Sequence, residues 1–146
     1  MFGSYDQLIL AINGRTLDLW LVDLEAKLDG MSGSRLRAAI DAYFDFAMRH
    51  RNAWTALYDF RLPESEIMPE EYQRKVTAIT DVVVREIAAA LPDAHVDKAR
   101  ALARSLLATV HGHCYFELNG TFALLGEEHP LAAALDRVDD ALARYR

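Results

Sequence analysis

The sequence holds a single cysteine, Cys114, in 146 residues. An intramolecular disulfide is therefore excluded, which fits a reducing cytoplasmic setting. Folding rests on burial alone, and a chain of this length can bury one sufficient core. Glycine and proline are scarce, at 7 and 4 residues, while alanine and leucine dominate; this favours helices over turn-rich β structure. No apolar run approaches the length of a bilayer span, and no basic stretch precedes an apolar one at the start, as a secretory signal requires. There is no basic excess either. The net charge of −6 argues against free-standing nucleic-acid or anionic-membrane binding. Repeats and low-complexity segments are missing. So are G-x-S-x-G, Walker, dinucleotide, H-E-x-x-H and C-x-x-C motifs, so neither a metal nor a cofactor is expected and no enzymatic activity is assigned.

What is present is an apolar share of 52%, slightly above the usual range for globular chains. The surplus implies an apolar cavity, an oligomer interface, or both. The pattern predicts an all-α bundle of six helices. Ser4 and Gln7 form an S-x-x-Q capping box for a first helix from about Ser4 to Asp29. Its stripe holds Leu10, Leu17, Leu21, Leu24 and Leu28, widened by Leu8, Ile12 and Leu19. Asn13-Gly14, often a hairpin signal, lies within helical periodicity and is placed inside this helix, where Gly14 admits a close neighbour.

Ser32 or Ser34 caps a second helix over about 34–50, with Leu36, Ile40, Tyr43, Phe44 and Ala47 inward. A short third helix, "RNAWTALYDF", is assigned Asn52 as its cap. A long fourth follows from about Pro69 to Leu91, with Glu70 and Glu71 at the positive end of its dipole. A fifth spans about Asp93–Leu118 and ends at Asn119-Gly120. "TFALLGEEH" is a connector, and the last helix starts at Pro130 behind His129. On it Leu131, Leu135, Val138, Leu142 and Tyr145 are spaced four, three, four and three. Such a heptad-like seam docks either on its own domain or on a second copy.

Groups that could do chemistry converge poorly. His111 and His113 are two apart on one helix and point in different directions, so they cannot chelate one metal together. The pairs sharing a face are His111 with Tyr115 and His113 with Glu117. Cys114, among apolar neighbours, reads as an inert core thiol. The aromatic residues carry more information. Trp20, Tyr43, Trp54, Tyr58 and Tyr115 combine bulk with polar tips, and a bundle holding several of them can close around a small, mostly apolar molecule.

"FGSYDQL" ahead of an apolar helix resembles the junction in TetR-type transcription regulators, where the recognition helix ends and the regulatory domain begins. The order of long, short, short and long helices followed by two more is similar to that domain. The chain resembles in particular the class named WHG, with Trp54 in "RNAWTALYDF" and His111-Gly112 in "ATVHGHCYFELNG" as the naming residues. The resemblance covers essentially all 146 residues. It implies a single effector-binding and dimerisation domain over 1–146, with 1–8 as a remnant of the junction to an absent helix-turn-helix. It implies a homodimer through the last two helices, here through Leu106, Val110, Leu131, Leu135, Val138, Leu142 and Tyr145. It also implies an apolar or aromatic effector inside the bundle. As large inward residues, Phe44, Met48, Trp54, Tyr58, Val83, His111 and Tyr115 are assigned to that cavity.

The leading expectation is thus the regulatory domain of a TetR-like repressor, reaching DNA only through the missing head. The alternative is a stand-alone helical protein that binds a small molecule or forms mixed dimers. A helical-bundle enzyme would need a catalytic constellation that the sequence does not offer.

Overall fold

The computed structural model describes residues 4–146; the expectations placed on Phe2 and Gly3 lie outside the described residues. Among the described residues, seven α-helices and one 3₁₀ stretch are present: α1 Tyr5–Leu28, α2 Arg35–Arg49, α3 Arg51–Asp59, α4 Glu70–Ala90, α5 Ala99–Leu118, α6 Thr121–Leu125 and α7 Pro130–Ala143, with the 3₁₀ stretch at Asp93–Lys98. The fold is all-α, with one helix more than the six expected. The connector "TFALLGEEH" contains α6, a single turn between Gly120 and Gly126, both with positive φ. Glycine alone adopts that conformation without strain, so these two residues fix both ends of the turn. The predicted helix over 93–118 divides because the turn after Pro92 is tighter than an α-helix up to Lys98.

Local signals explain most boundaries. The Ser4 hydroxyl accepts from the Gln7 N–H at 3.2 Å, and of the two candidate serines it is Ser34 that caps α2, accepting from the Arg37 N–H. Pro130 opens α7 with His129 at its cap position. Asn52 does not cap α3. His50 occupies that position without a side-chain bond, because α2 and α3 follow each other with no linker long enough to free an Asx cap. Pro69 stands at the cap position of α4, one residue ahead of its first turn.

α1 is the hub, packed on α2, α3 and α4, while α5 packs on α4 and α7. Its inner face buries Leu10, Leu17, Trp20, Leu24 and Leu28. Ile12 and Leu19 do not widen that stripe; they lie on the opposite side and are half exposed, because residues two positions from the inner row are turned well away from it on a helix. Asn13 and Gly14 are buried within α1. The Asn13 amide donates to the Ala56 carbonyl of α3 at 3.3 Å. The Lys75 stem lies over Gly14 at ordinary contact distance, 3.6 Å from where a Cβ would stand.

One ion pair ties three helices. Glu86 of α4, 3% exposed, receives Arg35 of α2 at 3.0 and 3.1 Å, and Arg35 also donates to the Leu28 carbonyl at the end of α1. Burial would raise the Glu86 carboxyl, but hydrogen bonds from Arg35 and Arg85 outweigh it and hold the group below its usual range. Breaking such a pair from one side costs more than the pair contributes, because it strands the other charge.

Candidate functional site

A partly open cavity of about 200 Å³ lies between α1, α2, α3 and α4, with Leu107 of α5 also lining it. Leu17, Trp20 and Leu24 form the α1 wall, and Ala39 and Tyr43 the α2 wall. α3 adds Leu57 and Tyr58. Tyr72, Val76, Ile79, Thr80 and Val83 line it from α4. No lining residue carries a formal charge. The space exists because rigid rings hold the helices apart: Trp20 and Tyr43 meet edge to face at 5.1 Å, and Trp20 stacks on Phe46 at 5.7 Å. Flat rings in such contacts cannot collapse into the gap as aliphatic chains would. A second void of about 40 Å³ shares Ala39, Tyr43, Val83 and Leu107 with the first. A larger hollow of about 450 Å³, lined in part by Glu25, Asp29, Arg35 and Arg85, is open and polar.

The polar groups at the cavity form a chain. The Tyr43 hydroxyl lies 2.9 Å from the Tyr58 hydroxyl and 2.9 Å from Nδ1 of His111. Trp54 and His111 stack at 4.9 Å, and Tyr58 lies against His111 at 4.0 Å. Burial pushes the Tyr43 phenol well above its ordinary range and Tyr58 up to about 12, and it lowers the His111 imidazole. All three groups are therefore neutral at pH 7. The Trp54 indole N–H is buried among these rings without a well-formed hydrogen bond, though it is near enough to Tyr43 to oppose that upward push weakly. Cys114 is fully buried and raised to about 12 by burial, which makes its thiolate inaccessible at neutral pH.

Of the seven residues expected at the cavity, Tyr58 and Val83 line it. Trp54 and His111 stand behind the wall, in the cluster just described. Phe44 is buried in the core. Met48 is 37% exposed and Tyr115 43% exposed, so both largely face outward. The His111–Tyr115 pair is a ring contact at 6.2 Å, with the His111 hydrogen bond going to Tyr43 instead. Likewise His113 Nδ1 meets the Thr109 carbonyl at 2.8 Å and no hydrogen bond joins it to Glu117. Sequence reasoning missed the α1 wall and Tyr43 as lining. The available signal was Tyr43 itself, a tyrosine on an otherwise apolar inner face.

The heptad-like seam turns inward. Leu135, Val138 and Leu142, with Leu106 and Val110 of α5, are buried within the chain's own core, and Leu131 and Tyr145 pack at its margin. α7 has one apolar face, and α5 and α2 take it up. The exposed apolar side chains near this end are others: Phe116 and Tyr115 of α5, and Leu124 and Leu125 of α6, the last two 90% and 68% exposed. Among the described residues, no three histidine, cysteine or acidic side chains converge as metal ligands, and no helix is long and apolar enough to cross a membrane.

The family model of the tetracycline repressor-like C-terminal domain matches residues 36–142. A solved structure of a protein with unknown function from Rhodococcus sp. RHA1 is similar, with a TM-score of 0.77 and 24% identity over 97% of this chain and 75% of that one; this likeness concerns the fold. No curated protein matches the chain.

Proposed function

Because the chain belongs to the tetracycline repressor-like C-terminal domain family, we propose that it is the effector-binding and dimerisation domain of a TetR-like transcriptional repressor. The observation that carries this reading is the uncharged, ring-walled cavity between α1 and α4. A small apolar or aromatic effector entering it would touch four helices at once. It would favour whichever arrangement of α1 and α4 gives it the better contacts, which is a population shift driven by differential affinity. α1, capped at Ser4, would carry that shift toward a helix-turn-helix outside this sequence, with residues 1–8 as the junction. DNA would be contacted through that segment alone, in the cytoplasm.

The dimer we propose is a homodimer formed by the end of the domain that holds α5, α6 and α7. Its contact surface is the outward side of these helices, where Tyr115, Phe116, Leu124 and Leu125 stand exposed, because the inward seam is already used. Large apolar side chains left exposed on neighbouring helices are candidates for an association surface. Light scattering on the purified chain at micromolar concentration is expected to give a dimer, and Leu124→Asp a monomer with unchanged helicity. A monomeric parent would remove the dimer from this reading.

A further inference from the structure

Hydrogen-bond bookkeeping at the cavity narrows what it accepts. The Tyr43 hydroxyl has one proton and already serves two partners, Tyr58 and His111. With every proton of the chain in use, it donates to one and accepts from the other. If Nδ1 of His111 is bare, Tyr43 donates to it and accepts from Tyr58, which leaves the Tyr58 oxygen as a free acceptor. If Nδ1 carries the proton, every bond reverses, and Tyr58 has a free proton to donate. In both cases the Tyr58 hydroxyl keeps one unused valence, and among the described residues no second partner meets it. The tautomer of His111 sets the sense of that valence.

Resting on the effector-binding reading above, we propose that the cavity takes a neutral, one-ring aromatic molecule bearing a single hydroxyl or carbonyl, which the Tyr58 hydroxyl reads through the Tyr43–His111 chain. Size supports one ring: a dry protein cavity of about 150 Å³ admits benzene, and this one measures about 200 Å³. Neutrality follows from the walls, because no lining residue offers a countercharge to an anion taken out of water. The raised phenols and lowered imidazole agree, since none of them ionises to meet one.

Calorimetry with toluene, p-cresol and p-toluate at pH 7 tests the assignment. p-Cresol is expected to bind about tenfold tighter than toluene, the worth of one neutral hydrogen bond, and p-toluate not measurably. In Tyr58→Phe, checked for native helicity, the cresol-to-toluene ratio falls to about one. A second measurement needs no variant. Nitrogen NMR of His111 is expected to show the Nδ1–H tautomer with acetophenone, which can only accept, and the Nε2–H tautomer with aniline, which mainly donates. Equal binding of cresol and toluene, a ratio that survives in Tyr58→Phe, or one tautomer with both ligands overturns the reading of the polar chain while leaving the effector pocket standing. If none of the aromatic probes binds, pocket and reader fall together.

Discussion

Around Tyr43 the helices stand apart and leave a partly open space of about 200 Å³, whereas between α5 and α7 they close until Ala103 and Ala134 are 1% and 0% exposed. Both regions are built from inward-facing residues at helical spacing. The difference lies in shape. The cavity is walled by Trp20, Tyr43, Tyr58 and Tyr72, each rigid and each, apart from Trp20, tipped by a hydroxyl, so neighbouring helices meet ring to ring. The α5–α7 seam alternates Leu135, Val138 and Leu142 with alanines on both helices, and the small residues let the backbones approach. Apolar periodicity thus specifies which side of a helix is inside, and ring content specifies whether the inside is filled.

The same truncation made in both places should break or sharpen that contrast. Leu135→Ala removes a buried side chain that lines no cavity and is expected to cost about 4 kcal/mol of unfolding free energy. Leu17→Ala, at the cavity wall, removes a group that already lacks neighbours on one side, and about 2 kcal/mol is expected. Urea titrations of both variants measure the gap. Equal losses would mean that the cavity closes in solution.

Enlargement keeps the same order and adds a binding readout. Ala103→Leu forces three carbons into a packed seam and is expected to cost about 2 kcal/mol. Ala39→Leu points into space shared by both voids. It is expected to leave stability within about 0.5 kcal/mol of the parent while abolishing toluene uptake. Parallel melts and calorimetry on the two variants report both effects. An Ala39→Leu protein that still binds toluene would place the ligand elsewhere.

The fold was legible because its signals are local: the caps at Ser4 and Ser34, Pro130 behind His129, and the apolar rows of α1, α4 and α5 each depend on neighbours within a turn or two. The site was much less so. Tyr58 and Val83 lie on inward rows and line the cavity, but inwardness does not separate the wall of a cavity from the core behind it, where Trp54, His111 and Phe44 stand. Met48 and Tyr115 are partly exposed, because a residue at the edge of an inward row reaches the surface. The seam on α7 shows the same limit: a heptad pattern says that a face is covered and leaves open by what. Tyr43 could be placed only once α2, α3 and α5 were brought together, since its partners are 15 and 68 positions away.

The smallest expected effect separates the two regions by pH. The α5–α7 seam of Ala103, Leu135, Val138 and Leu142 holds no ionisable side chain, whereas the cavity cluster holds His111, lowered by burial from an ordinary value of 6.5. Facing it are the rings of Tyr43, Tyr58, Trp54 and Tyr115, and among the described residues no carboxylate pairs with it. A histidine with a depressed folded-state pKa binds its proton more readily when unfolded. Its contribution to stability is therefore complete above about pH 6.5 and is lost as pH falls below it. The urea midpoint of the parent should drop between pH 7.5 and 5.5, a window that stays above the titration of Glu86, Asp45 and Asp97, which are all lowered. His111→Gln, which keeps a hydrogen-bonding group near Tyr43, should flatten that slope, and Leu135→Ala should shift the whole curve without changing it. If His111→Gln keeps the parental slope, the proton uptake belongs to another histidine, and the neutral cluster is not what makes the cavity side pH-sensitive.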